Sequence, residues 1–182
     1  MPDTGAPWNI PYVESSDLVS DWPADSLALA NAIDAGLDAA GNAGIGTNVV
    51  SVASATYFAT NSNTYTLVTG LELDFTPTSA TSKVLVIVTI GSLRNVSTAN
   101  AARLSLFRDG TDLKTATFGF VEYFESNDYL PASLSFLDSP ATTSSVNYEV
   151  RALTSNTSTQ TQVNGPTPGR AQSTITAIEV AV

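Results

Sequence analysis

The stretch Lys83–Leu93, KVLVIVTIGSL, is the hydrophobic maximum of the chain and decides the fold. From Val84 to Ile90 nearly every residue is β-branched or aliphatic, over a length too short to span a membrane. This pattern predicts a β-strand. Because successive side chains of a strand point to opposite faces, the consecutive apolar residues leave no face that prefers water. The strand therefore lies between two layers of one domain, or its outer face is covered by another copy of the chain.

The composition is typical of an all-β protein. Of the 182 residues, 43% are hydrophobic and only 13% are charged, about half the usual charged share. Strands favour Thr and Val, whereas helical surfaces usually carry the Glu, Lys and Arg that are scarce here. The chain has no Cys and no His, which excludes disulfides, thiolate or imidazole metal sites, Ser-His-Asp triads and cysteine nucleophiles. We therefore predict neither a metal nor a cofactor.

The charge is unevenly placed along the chain. The net charge is −10, and residues 1–46 hold seven of the 17 acids and no base, so the N-terminal segment differs in kind from the rest. We predict no nucleic-acid binding, because a phosphate backbone needs a basic stripe and the sequence has none. Residues 1–4 lack the basic start and apolar core of a signal peptide, and no membrane insertion is predicted.

Residues 1–22 predict an extended arm that binds a partner. Pro7 and Pro11 impose extended backbone around three large aromatic rings. Rigid backbone with aromatic side chains buries a large area at low entropic cost, as a peptide does when it enters pockets on another protein. The alternative is that the arm folds back over its own domain. The anchor candidates in the arm are Trp8, Ile10, Pro11, Tyr12 and Trp22.

Residues 21–40 predict a short α-helix that ends at Gly41. Leu29, Ile33 and Leu37 fall four apart and form a narrow apolar stripe, so we add them to the anchor candidates. A helix of this length is marginal alone in water, which means that the stripe should pack on something. It packs either on the same helix of neighbouring subunits or on its own β-domain.

The glycine-rich segment Gly41–Asn48 predicts a linker, which divides the chain into residues 1–46 and residues 47–182. Short apolar segments with Ser, Thr, Asn, Gly and Pro between them follow, which predicts a β-sandwich or barrel. The predicted strands are Val49–Ala59, Thr64–Phe75, Lys83–Leu93, Ala102–Arg108, Leu113–Phe120, Ala132–Leu137, Ser145–Ser155, Thr157–Val163 and Ser173–Val182.

Asp109 and Gly110 lie between two apolar strands and predict a β-hairpin, because both central residues of a type I′ turn need positive φ. Asp109, Asp112 and Asp138 could alternatively be calcium ligands. A calcium site needs six or more oxygens, and this turn supplies too few at a suitable spacing. We therefore interpret the three carboxylates as ordinary turn and surface residues.

Residues 121–131 form the longest segment without alternation and predict either a ligand surface or a covered edge. Residues 164–170 predict a rigid, exposed tip. The candidate receptor contacts in these two segments are Tyr123, Phe124, Tyr129 and Arg170.

An enzyme is the least favoured class. A glycan hydrolase needs two carboxylates, and Glu122 with Glu125 or Asp128 are the clustered candidates. Acids clustered on a polar loop are usually a solvated surface, so we predict no catalytic residues.

The N-terminal residues resemble a known class of segment. Gly5–Tyr12, GAPWNIPY, followed by Asp21-Trp22-Pro23 and a helix ending in Ala-Gly, resembles the N-terminal segment of many tailed-phage virion proteins, particularly small tail and appendage proteins. Such a resemblance implies attachment of residues 1–46 to capsid, neck or tail proteins.

The remainder resembles the C1q/TNF-like jelly roll of cyanophage and other marine phage structural proteins. The residues that carry this resemblance are 82–86, 106–111, 133–140 and 173–180. Together the two resemblances imply a trimeric virion component that is assembled in the host cytoplasm and exposed on the particle surface. They do not distinguish a tail fibre from a neck fibre or a capsid decoration. The alternative is a host-surface receptor or carbohydrate-binding module at a fibre tip.

The opening strand also bears on the oligomeric state. One jelly roll can bury one face of this strand, and the opposite face would then be an exposed apolar patch that soluble monomers rarely tolerate. We therefore predict a homotrimer. Its axis is lined either by Val84, Val86, Val88 and Ile90 or by the alternate set Leu85, Ile87 and Thr89.

Overall fold

The computed structural model describes residues 22–42, 45–96, 100–114, 118–124, 128–166 and 171–181. Trp8, Ile10, Pro11, Tyr12 and Arg170, together with the side chains of Trp22 and Leu37, lie outside the described residues. The chain divides into two compact units, Met1–Gly44 and Ile45–Val182. The first contains the helix α1, Trp22–Asn42.

The second unit contains the strands. In chain order they are β1 Ile45–Ser54, β2 Phe58–Thr60, β3 Thr66–Phe75, β4 Lys83–Asn95, β5 Ala102–Arg108, β6 Thr111–Asp112, β7 Val121–Tyr123, β8 Leu130–Asp138, β9 Val146–Thr154, β10 Thr161–Val163 and β11 Ser173–Val180.

The strands form two antiparallel sheets. In the first sheet β1 pairs β11, β11 pairs β4 and β4 pairs β8, while the short β10 follows β11 along the same edge of β4 and pairs β2. In the second sheet the order is β3, β9, β5, with β6 and β7 both paired to β5. Two antiparallel sheets between which the strands alternate along the chain in this way are the arrangement of a jelly roll. The predicted all-β jelly-roll sandwich is confirmed.

The core lies between the two sheets, and β4 supplies its centre. Val84, Val86, Val88 and Ile90 are fully buried. They join a cluster that includes Leu71, Phe75, Leu104 and Tyr148 from the second sheet. The alternate residues of β4 point away from the core, and Ile87 is 37% exposed. The continuous apolar run therefore has one face in the core and one face on the surface.

Four predicted segments differ from the structure. The linker Gly41–Asn48 is shorter than predicted, because α1 runs to Asn42 and β1 begins at Ile45. The predicted strand Val49–Ala59 is two strands, β1 and β2. Segment 113–120 has no strand among its described residues, and Gly119 within it has φ 89°, outside the extended region. The predicted loop 121–131 contains β7 and the first residues of β8.

The Asp-Gly hairpin is confirmed. Asp109 has φ 48° and Gly110 has φ 77°, and Arg108 pairs with Thr111 across the turn. Both central residues thus have the positive φ that a type I′ turn requires.

Asp109, Asp112 and Asp138, the three carboxylates of the calcium alternative, each have a protein partner. Asp109 accepts a hydrogen bond from the Asn147 amide at 2.8 Å. Asp112 pairs with Lys114 at 3.0 Å. Asp138, which is buried, accepts from Arg108 Nη1 at 2.6 Å and from the Tyr148 hydroxyl at 2.7 Å. Among the described residues no group of three or more acidic side chains could hold a metal ion.

Glu179 is a second buried carboxylate, only 2% exposed. It lies on β11 and accepts hydrogen bonds from the Thr78 amide at 2.9 Å, the Thr78 hydroxyl at 2.7 Å and Asn48 Nδ2 at 3.0 Å. Burial alone raises the pKa of Glu179, but these donors and Ser82 outweigh it and lower the pKa to about 2. The carboxylate therefore holds β1, β11 and the β3–β4 connection together in its charged form.

Replacing Glu179 by Gln should make the protein less stable in a pH-dependent way. The folded pKa of about 2 lies below the ordinary 4.5, so the stabilisation is present above pH 4.5 and is lost as the pH falls through 2. At pH 7 we expect a loss of about 3 kcal/mol in the free energy of unfolding, shrinking towards zero near pH 2. Urea unfolding, followed by circular dichroism at several pH values, measures the free energy of unfolding. The exposed Glu72→Gln is the control, and an equal pH response in both variants would contradict the role of Glu179.

Adjacent aspartate substitutions on β4 should separate its two faces. Val86→Asp places an unpaired charge in the core and should cost on the order of 4 kcal/mol or more, which is enough to unfold a domain of ordinary stability. Ile87→Asp places the same charge on the surface and should leave the protein folded. Thermal melting of both variants tests the assignment. Cooperative melting of Val86→Asp near the wild-type temperature would show that the inward set is misassigned.

Candidate functional site

The outer face of the first sheet carries a row of apolar side chains across four strands. Leu137 on β8 lies opposite Leu85 on β4, Leu85 opposite Ile178 on β11, and Ile178 opposite Val49 on β1. The two central members of the row are half-buried by their neighbours, whereas Leu137 is 47% and Val49 51% exposed. Four aliphatic side chains in line form a continuous apolar patch, unlike the single apolar residues that are scattered over most protein surfaces.

On one side of this row the neighbouring positions carry no charge, whereas on the other side Lys83 on β4 lies opposite Val180 on β11. The next two rows contain Ile87 and otherwise small or hydroxyl-bearing side chains, and Ser51 and Thr176 share a hydrogen bond of 2.8 Å between their hydroxyls. We call these twelve residues the uncharged face. Its members are Val49, Ser51, Ala53, Leu85, Ile87, Thr89, Ser133, Ser135, Leu137, Thr174, Thr176 and Ile178.

The second sheet presents a contrasting outer face. Here Arg103 pairs with Glu122 at 2.7 Å, Lys114 with Asp112 at 3.0 Å, and Arg151 with Glu149 at 2.5 Å. The carboxylates of Glu72 and Asp74 are also exposed on β3. This face is built for contact with water, since charged groups lose much of their solvation when they are buried.

The structure divides the interface candidates into two groups. Val84, Val86, Val88 and Ile90 fill the core of a single chain, because the second sheet covers that side of β4. They are therefore not available to line a trimer axis in this fold. Leu85, Ile87 and Thr89 lie on the uncharged face.

Sequence reasoning missed the partners of Leu85 in the apolar row. Leu137, Ile178 and Val49 each lie at an alternate position of a separate strand, far apart in the chain. Each is unremarkable in its own segment. Only the strand register places them in one line, so a local pattern could not have found the row.

The candidate receptor contacts are in different environments. Tyr123 ends β7 and packs against the core, which makes it a poor surface contact. Phe124 is 56% exposed. The Tyr129 hydroxyl donates to Gln162 Oε1 at 2.8 Å and accepts from Arg94 Nη1 at 3.2 Å. Arg170 lies outside the described residues.

The carboxylates considered for glycan hydrolysis do not form a described pair. Glu122 lies on β7, and Arg103 Nε donates to it at 2.7 Å. Asp128 is exposed, and Glu125 lies outside the described residues. An ion-paired Glu122 and an exposed Asp128 are what a solvated acidic surface looks like.

Helix α1 carries exposed apolar side chains. Leu27 is 62% and Ile33 46% exposed, while Leu29 is half-buried. No helix within the described residues is long and apolar enough to cross a membrane.

No protein-family model matches the chain, and no curated protein matches it. Among solved structures it is similar to chains of infectious bursal disease virus. For the Gx strain the TM-score is 0.38 at 11% identity, over 74% of this chain and 37% of that one. For the T13 viral particle the TM-score is 0.36 at 13% identity, over 74% of this chain and 35% of that one. For the VP2 subviral particle the TM-score is 0.32 at 12% identity, over 75% of this chain and 38% of that one. The chain thus spans little more than a third of the length of these structures, and likeness at this level carries no function across.

Proposed function

We propose that this chain is a non-enzymatic structural protein of a bacteriophage virion. Three copies associate through the uncharged face, residues 1–46 attach the trimer to capsid, neck or tail proteins, and the jelly roll is exposed as a fibre or decoration. The observation that carries the trimer is the uncharged face, which opposes a face rich in ion pairs. Its place in a virion rests on the resemblance of the N-terminal segment and the jelly roll to phage structural proteins.

The uncharged face suits contact between copies because little is lost when water leaves it. Aliphatic side chains gain free energy on burial, about 25 cal/mol per Å². Ser and Thr hydroxyls can bond to one another, as Ser51 and Thr176 already do. A charged residue among them would have to be desolvated, and the twelve positions contain none.

A closed ring satisfies the geometry of this face better than a single pair. The outer strands β1 and β8 leave backbone donors and acceptors at the edges of the sheet, and such edges need protection. Val49 and Leu137 lie on these two edge strands. In a ring of three, the face of one copy meets an edge of the next, so every apolar row and one edge of each copy have a neighbour.

The N-terminal unit supports an anchoring role by its chemistry. Residues 1–46 carry seven acids and no base, so they suit a basic or apolar surface on another protein and repel copies of themselves. Leu27 and Ile33 on α1 are exposed and would be buried by a partner. The aromatic arm before the helix supplies further apolar area.

We expect the wild-type chain to form a trimer at micromolar concentration, with three times the 18.9 kDa mass of one chain by light scattering. Ile87→Asp and Leu137→Asp each place a charge on the uncharged face, and each should give a folded monomer. The matched control is Thr69→Asp on an exposed position of the second sheet, which should stay trimeric. A monomeric wild type, or a trimer that survives both face variants, would refute this interface.

Replacing both Trp8 and Trp22 by Ala should leave the β-unit folded and reduce incorporation into particles. A tryptophan buried at a hot spot contributes several kcal/mol, so the loss should reach roughly a thousandfold at the upper end. The measurement is the amount of the chain in purified particles relative to the capsid protein. Phe124→Ala removes an exposed aromatic ring from the β-unit as a control. Normal incorporation of the double variant would rule out the arm as the attachment device.

A further inference from the structure

The outer face of the second sheet holds a cluster that the structural role leaves unexplained. Three aromatic rings lie side by side, and each is in contact with a cation that is paired with a carboxylate. We call this cluster the aromatic–ionic strip. Its three groups are Phe118 with Arg103 and Glu122, Tyr65 with Lys114 and Asp112, and Phe107 with Arg151 and Glu149.

The cation–ring distances are short and similar in the three groups. Arg103 Cζ lies 4.3 Å from the centre of the Phe118 ring, and Arg151 Cζ lies 4.5 Å from that of Phe107. Lys114 Nζ lies 4.6 Å from the centre of Tyr65. These distances are within the range of a cation–π interaction. Each cation is also held by a carboxylate, so every ring has a donor and an acceptor group beside it.

The three groups are also joined to one another. The rings of Tyr65 and Phe107 meet edge to face, with 5.5 Å between their centres. The Tyr65 hydroxyl donates to the Phe118 carbonyl oxygen at 3.4 Å. Exposure rises along the strip, from 7% at Phe107 to 50% at Phe118, with Tyr65 half-buried between them. Phe118 thus presents a half-exposed ring that is in contact with Arg103.

The geometry points to a saccharide as the ligand, and we propose that the strip is a saccharide-binding site. A sugar ring has an apolar C–H face that can lie on an aromatic ring, while its hydroxyls both donate and accept hydrogen bonds around the edge. Next to Phe118, the Arg103 guanidinium supplies donors and the Glu122 carboxylate supplies acceptors. The pairing of each cation with a carboxylate leaves no excess positive charge for a phosphate backbone.

The position of the strip adds avidity, and this part of the inference rests on the proposed trimer. The strip lies on the opposite side of the sandwich from the uncharged face. A trimer formed through that face would display three strips outwards. Linked weak sites bind a repeating polymer far more tightly than one site binds its repeat unit.

The test uses the full chain on a surface panel of purified bacterial lipopolysaccharides and capsular polysaccharides. We expect the wild type to bind at least one of them. Phe118→Ala should weaken that binding by about tenfold or more, and Phe118→Tyr, which keeps the ring, should retain it. Tyr57→Ala is the control, because Tyr57 is an exposed ring outside both the strip and the candidate receptor contacts. Circular dichroism checks that all variants are folded.

A second measurement separates the site from the trimer. Ile87→Asp should keep the wild-type affinity for a short oligosaccharide released from the bound polysaccharide, titrated in solution, and lose affinity for the immobilised polymer. Failure of the wild type to bind any member of the panel would overturn the saccharide site, as would an equal loss in Phe118→Ala and Tyr57→Ala. A trimeric Ile87→Asp together with loss of binding in Phe118→Ala would overturn the proposed interface and support the site.

Discussion

The packing of β4 is the constraint on which the rest of the structure depends. Its inward residues fill the core at zero exposure, and its outward residues are nearly as apolar. A shift of one residue in register would exchange the two sets without much change in hydrophobicity, so β4 alone does not define its orientation. Its neighbours do. β11, β10 and β8 all pair directly with β4, so the register of the first sheet is fixed through this one strand.

Two buried carboxylates help to fix that register. Glu179 on β11 and Asp138 on β8 both lie opposite Val84, one on each side, so they flank it about 10 Å apart at one end of the sandwich. Each carboxylate has its own hydrogen-bond donors. Thr78 and Asn48 donate to Glu179. Arg108 and Tyr148 donate to Asp138. A slipped strand would bury these charges away from their donors, and the cost of an unpaired buried charge exceeds what apolar packing in a slipped register could return.

Local sequence signals predicted most of the fold. The β-branched run predicted β4, and Asp109-Gly110 predicted the β5–β6 hairpin. Both predictions succeeded because a strand and a tight turn depend mainly on residues adjacent in the chain. The strand predicted at 113–120 has no counterpart in the described residues 113, 114 and 118–120. There Leu113 and Phe120 each donate a single backbone amide to a carbonyl of β5. The donors of Glu179 lie about a hundred residues earlier in the chain. The apolar row and the aromatic–ionic strip likewise join distant segments, so no window along the sequence contains them.

The distribution of charge between the two outer faces links the fold to the proposed assembly. A chain with only 13% charged residues has few ions to place, yet three ion pairs lie on the outer face of the second sheet and none lies within the uncharged face. Propensity does not explain this, because both sheets are built from similar strands. A protein with both outer faces in water would be more soluble if the charged residues were distributed over both of them. The asymmetry is explained if one face meets another copy of the chain and the other meets water, and the association would then depend on apolar burial and be insensitive to salt.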